Sequence, residues 1–255
     1  MRFTASWRGA VLVGAEPVRA WVRRPDDLRV EALDGALWTA GSFAPAATSV
    51  GFLRAVGPGP PPPRPPAPPP WAGEVAPVFD ADGTVTARPR PDAARYDDPM
   101  FRDYRWVAML DPVELADGIG REIGRPGRHP VLVDDVRSVE HSGRPAWEAV
   151  LRPTWRYDPR CSCCPLLFGA VSEGWEEQGG AVPAHLRDPR LVYPTAHRVR
   201  LDLGTGICVL TEEMDGSRAG SGHDLRVEAV DVPFPDDLFR PPPRRRLLRG
   251  RRGKP

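Results

Sequence analysis

The feature that most narrows what this chain can fold into is the alternation within residues 195–239, TAHRVRLDLGTGICVLTEEMDGSRAGSGHDLRVEAVDVPFPDDLF. Val199, Leu201 and Leu203 alternate with Arg198, Arg200 and Asp202, which is the two-residue period of a strand with one buried face and one wet face. Gly204-Thr205-Gly206 turns the chain, residues 207–213 form the return strand, and Asp215-Gly216 is a second hairpin signal. Leu225, Val227 and Ala229 against Arg226 and Glu228 make a third strand. Pro233 and Pro235 then end the pairing, because proline has no N–H to give a ladder. The pattern predicts an antiparallel meander with Val199, Leu201 and Leu203 facing the core and Arg198, Arg200 and Asp202 facing out.

The first forty residues repeat this style. Residues 2–13 read as a strand, residues 18–23 as its return, and residues 28–33 as a third, with Leu28, Val30 and Ala32 set against Arg29 and Glu31. Asp34-Gly35 makes a hairpin to residues 36–38, and residues 131–140 and 145–152 form two more strands around His141-Ser142-Gly143. Short strands are expected near residues 75–79 and 84–87. Asp111 reads as the N-cap of a short helix with Pro112 at its first position and Gly118 at its end, and a second short helix is expected within residues 166–175. With 25 Gly and 33 Pro in 255 residues, turns outnumber long helices. The expected fold is mainly β (α+β): a single domain over residues 1–240, built as one curved antiparallel sheet, a half-barrel, packed on a few short helices. Residues 57–70, GPGPPPPRPPAPPP, cannot donate ladder hydrogen bonds and form a long Pro-rich loop, either a solvated spacer or a docking segment for a Pro-recognising module.

Charge separates the body from its tail. The net charge is +1, yet eight basic residues follow Asp237, which leaves 27 basic against 34 acidic residues in the body, a net of −7. Of the 35 basic residues 34 are arginine, a bias of genome composition that makes the arginine count poor evidence for nucleic acid as a partner. Residues 241–255, PPPRRRLLRGRRGKP, offer little to bury and are expected to be a disordered basic tail, either solvated or held on an anionic membrane surface. No run approaches the roughly 20 apolar residues that span a bilayer. The apolar stretch at residues 9–15 is shorter than a secretory core segment, so the expected location is cytoplasmic.

In order, the chain carries DPVELADG, the hairpin VRSVEHSGRPAWEAVLRP, a long loop, YPTAHRVRLDLGTGICVLTEEMDG and the closing PFPDDLF. Gly143-Arg144-Pro145-Ala146 leading into Val150-Leu151-Arg152-Pro153, then Arg200-Leu201-Asp202-Leu203-Gly204-Thr205-Gly206, then Pro235-Asp236-Asp237-Leu238-Phe239 carry a likeness. So does Leu28-Arg29-Val30-Glu31-Ala32-Leu33-Asp34-Gly35. Taken together they resemble the LolA-like superfamily of lipid- and lipoprotein-binding half-barrels, which includes the RseB/MucB sensors and mycobacterial LppX-type lipoproteins. The resemblance implies a sheet curled over a few helices, an apolar concavity for a lipid, lipidated or other hydrophobic ligand, and no catalysis. Trp21, Trp106 and Trp147, with Val199, Leu201 and Leu203, are the candidate lining of that concavity. The same indoles would serve equally as core packing.

One segment has no counterpart in that superfamily. Cys161, Cys163 and Cys164 stand as C-x-C-C before Pro165, a thiol density that suits Zn²⁺ or Cu(I), a redox pair, or reduced structural cysteines. A four-ligand zinc site would need Cys208, His185 or His197 as well. No G-x-S-x-G, H-E-x-x-H or phosphate loop occurs, so no hydrolase constellation is present; as the resemblance implies, no enzyme activity is expected, and no cofactor other than Zn²⁺ or Cu(I) at the CSCC segment. The five histidines stand beside turn residues and are read as solvated, as are the acidic pairs Asp134-Asp135 and Glu212-Glu213. Two further readings therefore stand beside the lipid binder: a metal- or thiol-responsive protein using the CSCC segment, and an interaction module acting through the Pro-rich loop and the Arg-rich tail.

Overall fold

The computed structural model describes residues 1–9, 16–43, 69–83, 85–87, 94–95, 98–116 and 129–241. Residues 10–13 of the expected first strand, residues 57–68 of the Pro-rich stretch, Gly118 and residues 242–255 of the tail lie outside the described residues.

The chain is mainly β. Four strands open it: β1 (Arg2–Arg8), β2 (Val18–Arg23), β3 (Asp27–Ala32) and β4 (Leu37–Ser42). A separate pair follows, β5 (Val78–Phe79) and β6 (Val85–Ala87). Five more complete the set: β7 (Val131–His141), β8 (Arg144–Pro153), β9 (His197–Asp202), β10 (Cys208–Glu213) and β11 (Gly222–Ala229). Nine of them form one sheet in the order β4-β3-β2-β1-β11-β10-β9-β8-β7, every pair antiparallel. The two meanders are thus stitched together where the first strand meets the last. The sheet does not close, and β4 and β7 are its edges.

Register makes one continuous apolar face. Phe3 stands opposite both Ala20 and Val227, Ala5 opposite Val18 and Leu225, and Val30 opposite Ala20. All of these are buried. A short helix, α1 (Tyr104–Leu110), lies on this face and buries Trp106, Val107, Ala108, Met109 and Leu110. The Trp106 ring centroid is 5.3 Å from those of Phe3 and Phe101. Each large side chain buried here contributes on the order of 1.5–3 kcal/mol.

The helix near Asp111 falls earlier than the sequence pattern predicts. Asp103 is the N-cap, its carboxylate accepting from Arg105 N at 3.0 Å, and Asp111 ends α1 rather than starting a helix. The residue before a proline is pushed out of the helical region, and Asp111 accordingly has φ −139° and ψ 85° ahead of Pro112. Only a 3₁₀ turn, Val113–Leu115, follows. The second helix, α2 (Ala170–Gln178), starts later than expected because residues 160–167 are tied down by backbone contacts described below, and a third, α3 (Ala184–Arg187), is a single turn.

The facing of β9 also needs correction. Val199 is buried and Leu201 half-buried, as the alternation predicts, but Leu203 is 47% exposed and Asp202 only 2%. The strand ends at Asp202, so Leu203 belongs to the turn. The Asp202 carboxylate organises that turn, accepting from Gly204 N at 3.1 Å and from Thr205 N and Oγ1 at 2.8 Å each. Arg144 adds two charge-assisted bonds of 2.6 and 3.0 Å. Burial pushes this carboxyl up, but the Arg144 and Thr205 bonds outweigh it and hold the group below the usual aspartate value.

Candidate metal centre

The loop between β8 and α2 carries the three adjacent cysteines, and the core fixes its shape. Glu114, in the 3₁₀ turn after α1, is 2% exposed. Its Oε1 accepts from Leu166 N at 2.8 Å and from the Tyr157 hydroxyl, and its Oε2 accepts from Arg160 N at 3.1 Å. Tyr157, fully buried, in turn accepts from Leu167 N at 3.0 Å through its hydroxyl, and its carbonyl accepts from Trp175 Nε1 at 2.9 Å. One buried carboxylate and one phenol therefore satisfy three backbone N–H groups on both sides of the CSCC segment. Burial pushes Glu114 up, opposed by the bonds from Tyr157, Arg160 and Leu166, and burial likewise pushes the Tyr157 phenol well up.

Held between these points, Cys161, Cys163 and Cys164 bring their Sγ atoms within 4.8 Å of one another. Cys161 Sγ and Cys163 Sγ are 2.9 Å apart, and Cys163 Sγ and Cys164 Sγ are 3.8 Å apart. A turn with Cys164 N donating to Cys161 O at 3.3 Å folds the three side chains to one side. Cys164 is buried, Cys161 half-buried and Cys163 exposed, so the cluster has a floor and an open top. The thiols are not equivalent. Burial opposes ionisation of Cys161, but donation from Cys163 and Cys164 and from their backbone N–H groups leaves its pKa below the ordinary thiol value. The bond to Cys161, with burial, raises Cys163, while burial and the neighbouring Cys161 raise Cys164. Asp103 and Glu176 add negative charge nearby, an environment that favours a cation over three thiolates.

None of the expected fourth ligands joins this group. Cys208 is fully buried on β10 with its Sγ 3.5 Å from Leu210 O, His185 Nδ1 is 3.2 Å from the Tyr193 hydroxyl, and His197 Nε2 is 2.9 Å from Phe168 O.

Of the expected lining residues, Trp147, Val199 and Leu201 share the inward face of the sheet, and the others do not all join them there. Trp106 is in the core, whereas Trp21, opposite Arg2 and Arg29, points to the other face of the sheet and is half-buried. Trp147 is 48% exposed opposite Leu201, and Leu203 is in its turn. A cleft of about 350 Å³ lies instead against β7 to β9, lined by Asp135, Val136, Arg137, Glu148, Val150, Arg198 and Met214. It is polar. Glu148, 2% exposed, forms its floor and accepts from Arg200 Nε at 2.6 Å and Arg137 Nε at 2.9 Å.

Sequence reasoning missed several interior polar groups. His129 and His185 are exposed, but His141, His197 and His223 are buried rather than solvated. Glu213 is buried beside a half-buried Glu212. The parity of the strands held the signal: His197 is two residues before Val199, His223 two before Leu225, and Glu213 two after Thr211, so each shares the inward face. Among the described residues no helix is long and apolar enough to cross a membrane. No protein-family model, curated protein or solved structure matches the chain.

Proposed function

We propose that this protein binds a soft metal ion through Cys161, Cys163 and Cys164, with the sheet, read as a half-barrel, serving as the scaffold that holds the loop. The observation that carries this reading is the convergence of three thiol sulfurs within 4.8 Å on a loop pinned by buried hydrogen bonds. Three sulfurs without a fourth protein ligand in the group suit Cu(I), which accepts a purely thiolate set, better than Zn²⁺, which is almost always four-coordinate. With metal–sulfur bonds of about 2.3 Å, sulfurs sharing an ion stand about 4 Å apart, so the Cys161–Cys163 pair must open by about 1 Å. The exposure of Cys163 leaves room for that movement.

The lipid-binding role implied by the LolA-like resemblance draws less support. Trp106, Met109 and Leu110 fill the face that would take acyl chains, Trp21 lies on the opposite face of the sheet, and Trp147, though on the inward face opposite Leu201, is 48% exposed. A thiol-redox role has one observation in its favour, the lowered Cys161 beside Cys163 at 2.9 Å.

Native mass spectrometry of protein purified without chelators separates the three. Near-stoichiometric copper or zinc, lost on Cys163→Ser or Cys164→Ser, supports the metal centre. Bound lipid with three freely titrating thiols would sink it in favour of the resemblance. Reversible loss of two thiols without metal would point to redox use.

A further inference from the structure

The cleft of about 350 Å³ against β7 to β9 contains no cysteine, and its volume is at the lower end of the range of small-molecule pockets. It lies on the face of the sheet away from the core. Glu148 and Val150 stand opposite Arg200 and Arg198 on that face, while Leu151 and Val199, one position on, point into the core. A bulge in β7 shapes the wall of the cleft. Asp134 pairs with Val150 and Arg137 with Glu148, so two residues, Asp135 and Val136, stand against the single Ala149. Asp134 and Arg137 therefore share a face although three positions separate them, and the strand bends between them. Asp135 has φ +49°, in the left-handed region that aspartate enters more readily than most residues. Both inserted residues line the cleft, which is what a bulge that re-aims side chains toward a site achieves.

Charge in the cleft is divided between its floor and its rim. Both oxygens of Glu148 are engaged: Oε1 accepts from Arg137 Nε at 2.9 Å and from its Nη2, and Oε2 accepts from Arg200 Nε at 2.6 Å. That carboxylate is used up in holding its arginines. The arginines are not used up in return. Arg137 keeps Nη1, and Arg198 gives only Nη1, to Glu212 Oε2 at 3.0 Å, its Nε standing 3.9 Å from Glu148 Oε1. A guanidinium held in place with donors to spare is suited to a carboxylate. On the rim the two aspartates differ. Asp134 pairs with Arg152, whereas the exposed Asp135 carboxylate makes no hydrogen bond or ion pair among the described residues. Val136, Val150 and Met214 supply an apolar wall, with Val136 59% and Met214 40% exposed.

We infer that this cleft binds a free amino acid with an apolar side chain. The ligand's carboxylate takes the spare donors of Arg198 and Arg137, its ammonium pairs with Asp135, and its side chain covers Val136, Val150 and Met214. A simple anion would meet Asp135 as a like charge, and a simple cation would meet the two guanidiniums. A small ligand carrying both charges and an apolar group complements all three parts of the lining. No cysteine takes part, so the site stands or falls independently of the metal centre.

Nuclear magnetic resonance of the full chain with isotope-labelled methionine methyl groups tests it. The Met214 signal is identified by its loss in Met214→Leu, and the probes are L-leucine, isocaproate, which lacks the ammonium, isoamylamine, which lacks the carboxylate, and glycine, which lacks the side chain. Leucine should move the Met214 signal saturably at millimolar concentration or below, and each of the other three should bind at least about tenfold more weakly, because each omits a charge-assisted bond or the apolar contact. Arg198→Gln should weaken leucine about tenfold or more and leave isoamylamine unchanged. Asp135→Asn, a replacement that tolerates the left-handed backbone, should weaken leucine and leave isocaproate unchanged. Should Arg198→Gln not fold, Asp135→Asn and the four probes on the unaltered protein decide. No saturable shift with leucine, any of the other probes as effective as leucine, or undiminished leucine affinity in Asp135→Asn would each overturn the site.

Discussion

Removing a single oxygen atom tests how the thiol loop is held. In Tyr157→Phe the phenol hydroxyl disappears, which strips one of the two donors from Glu114 Oε1 and leaves Leu167 N, 3.0 Å from the lost oxygen, without an acceptor. Tyr157, Glu114 and Leu167 are all at most 2% exposed, so water cannot replace the bond. An unsatisfied buried amide costs about 1–3 kcal/mol, and for a chain of this length each kcal/mol moves the midpoint by about 2–4 °C, giving a drop of roughly 2–12 °C. The loop then samples more conformations before a metal can gather its sulfurs. If half of the loss is expressed in the loop, Cu(I) affinity falls by about twofold to about tenfold, since 1.4 kcal/mol is a factor of ten. Calorimetry of the apoprotein and competition against a Cu(I) chelator measure the two effects. A variant as stable as the parent, with unchanged Cu(I) affinity, would refute the clamp. Glu114→Ala is the harsher version, because it orphans Tyr157 Oη, Leu166 N and Arg160 N together and takes several kcal/mol from a stability of about 5–15 kcal/mol.

The remaining predictions concern pH and one glycine. Burial depresses His197 and His223 from 6.5 to about 4, so each contributes stability that is fully present above pH 6.5 and lost as pH falls toward 4, on the order of 3 kcal/mol each. Glu213 runs the other way: raised from 4.5 to about 7, it contributes stability present below pH 4.5 and lost as pH rises to 7. Denaturant melts between pH 4 and 8 should therefore show a net acid loss that Glu213→Gln makes steeper; an unchanged slope in that variant removes Glu213 from the balance. Gly216 has φ +80°, and a Cβ there would stand 2.6 Å from Val192 O and 2.9 Å from Pro194 N. Gly216→Ala should cost roughly 2 kcal/mol or more, seen as a lower melting midpoint, and an unaltered midpoint would mean that residues 192–194 do not cross that turn.

Strand existence was legible because alternation is a property of neighbouring residues. Residues 18–23 coincide with β2, and β3, β7, β8 and β10 fall within a residue of the expected spans. What the sequence could not disclose was which strand stands next to which across a long gap. The joining of β1 to β11 sets Phe3 against Val227, a pairing that no local pattern marks. Helix placement failed for the same reason. Asp111-Pro112 is a good helix start by composition, but Asp103 caps a run whose apolar residues have a sheet to cover, and tertiary burial outweighs the local preference. The three cysteines were legible as a dense group. That their sulfurs converge depends on Glu114 and Tyr157, residues 47 and 4 positions before Cys161 whose roles arise only once the core has formed.

The failure of alternation in β10 explains why so much polar chemistry lies inside. Cys208, Val209, Leu210 and Thr211 are all buried in succession: a register shift between Cys208 and Leu210 lets both Cys208 and Val209 join the core, and Leu210 is covered from the other side. On one face α1 covers it. On the other, the end of the β7–β8 hairpin reaches back: His141 Nε2 lies 3.1 Å from Leu225 O, just where pairing between β10 and β11 stops at Leu210 and Asp224. Arg200 holds that hairpin through His141 Nδ1 at 3.2 Å and Glu148 at 2.6 Å. A polar residue sent to either face of this part of the sheet therefore meets protein rather than water, and it must find its partner there. Asp202 finds Arg144, Glu148 finds Arg137 and Arg200, His141 finds Leu225, and His223 finds Thr211 and Cys208. The exceptions are single atoms: Arg105 Nε, Trp106 Nε1, His197 Nδ1 and Glu213 Oε2 are buried without a hydrogen-bond partner, although His197 Nε2 lies 2.9 Å from Phe168 O.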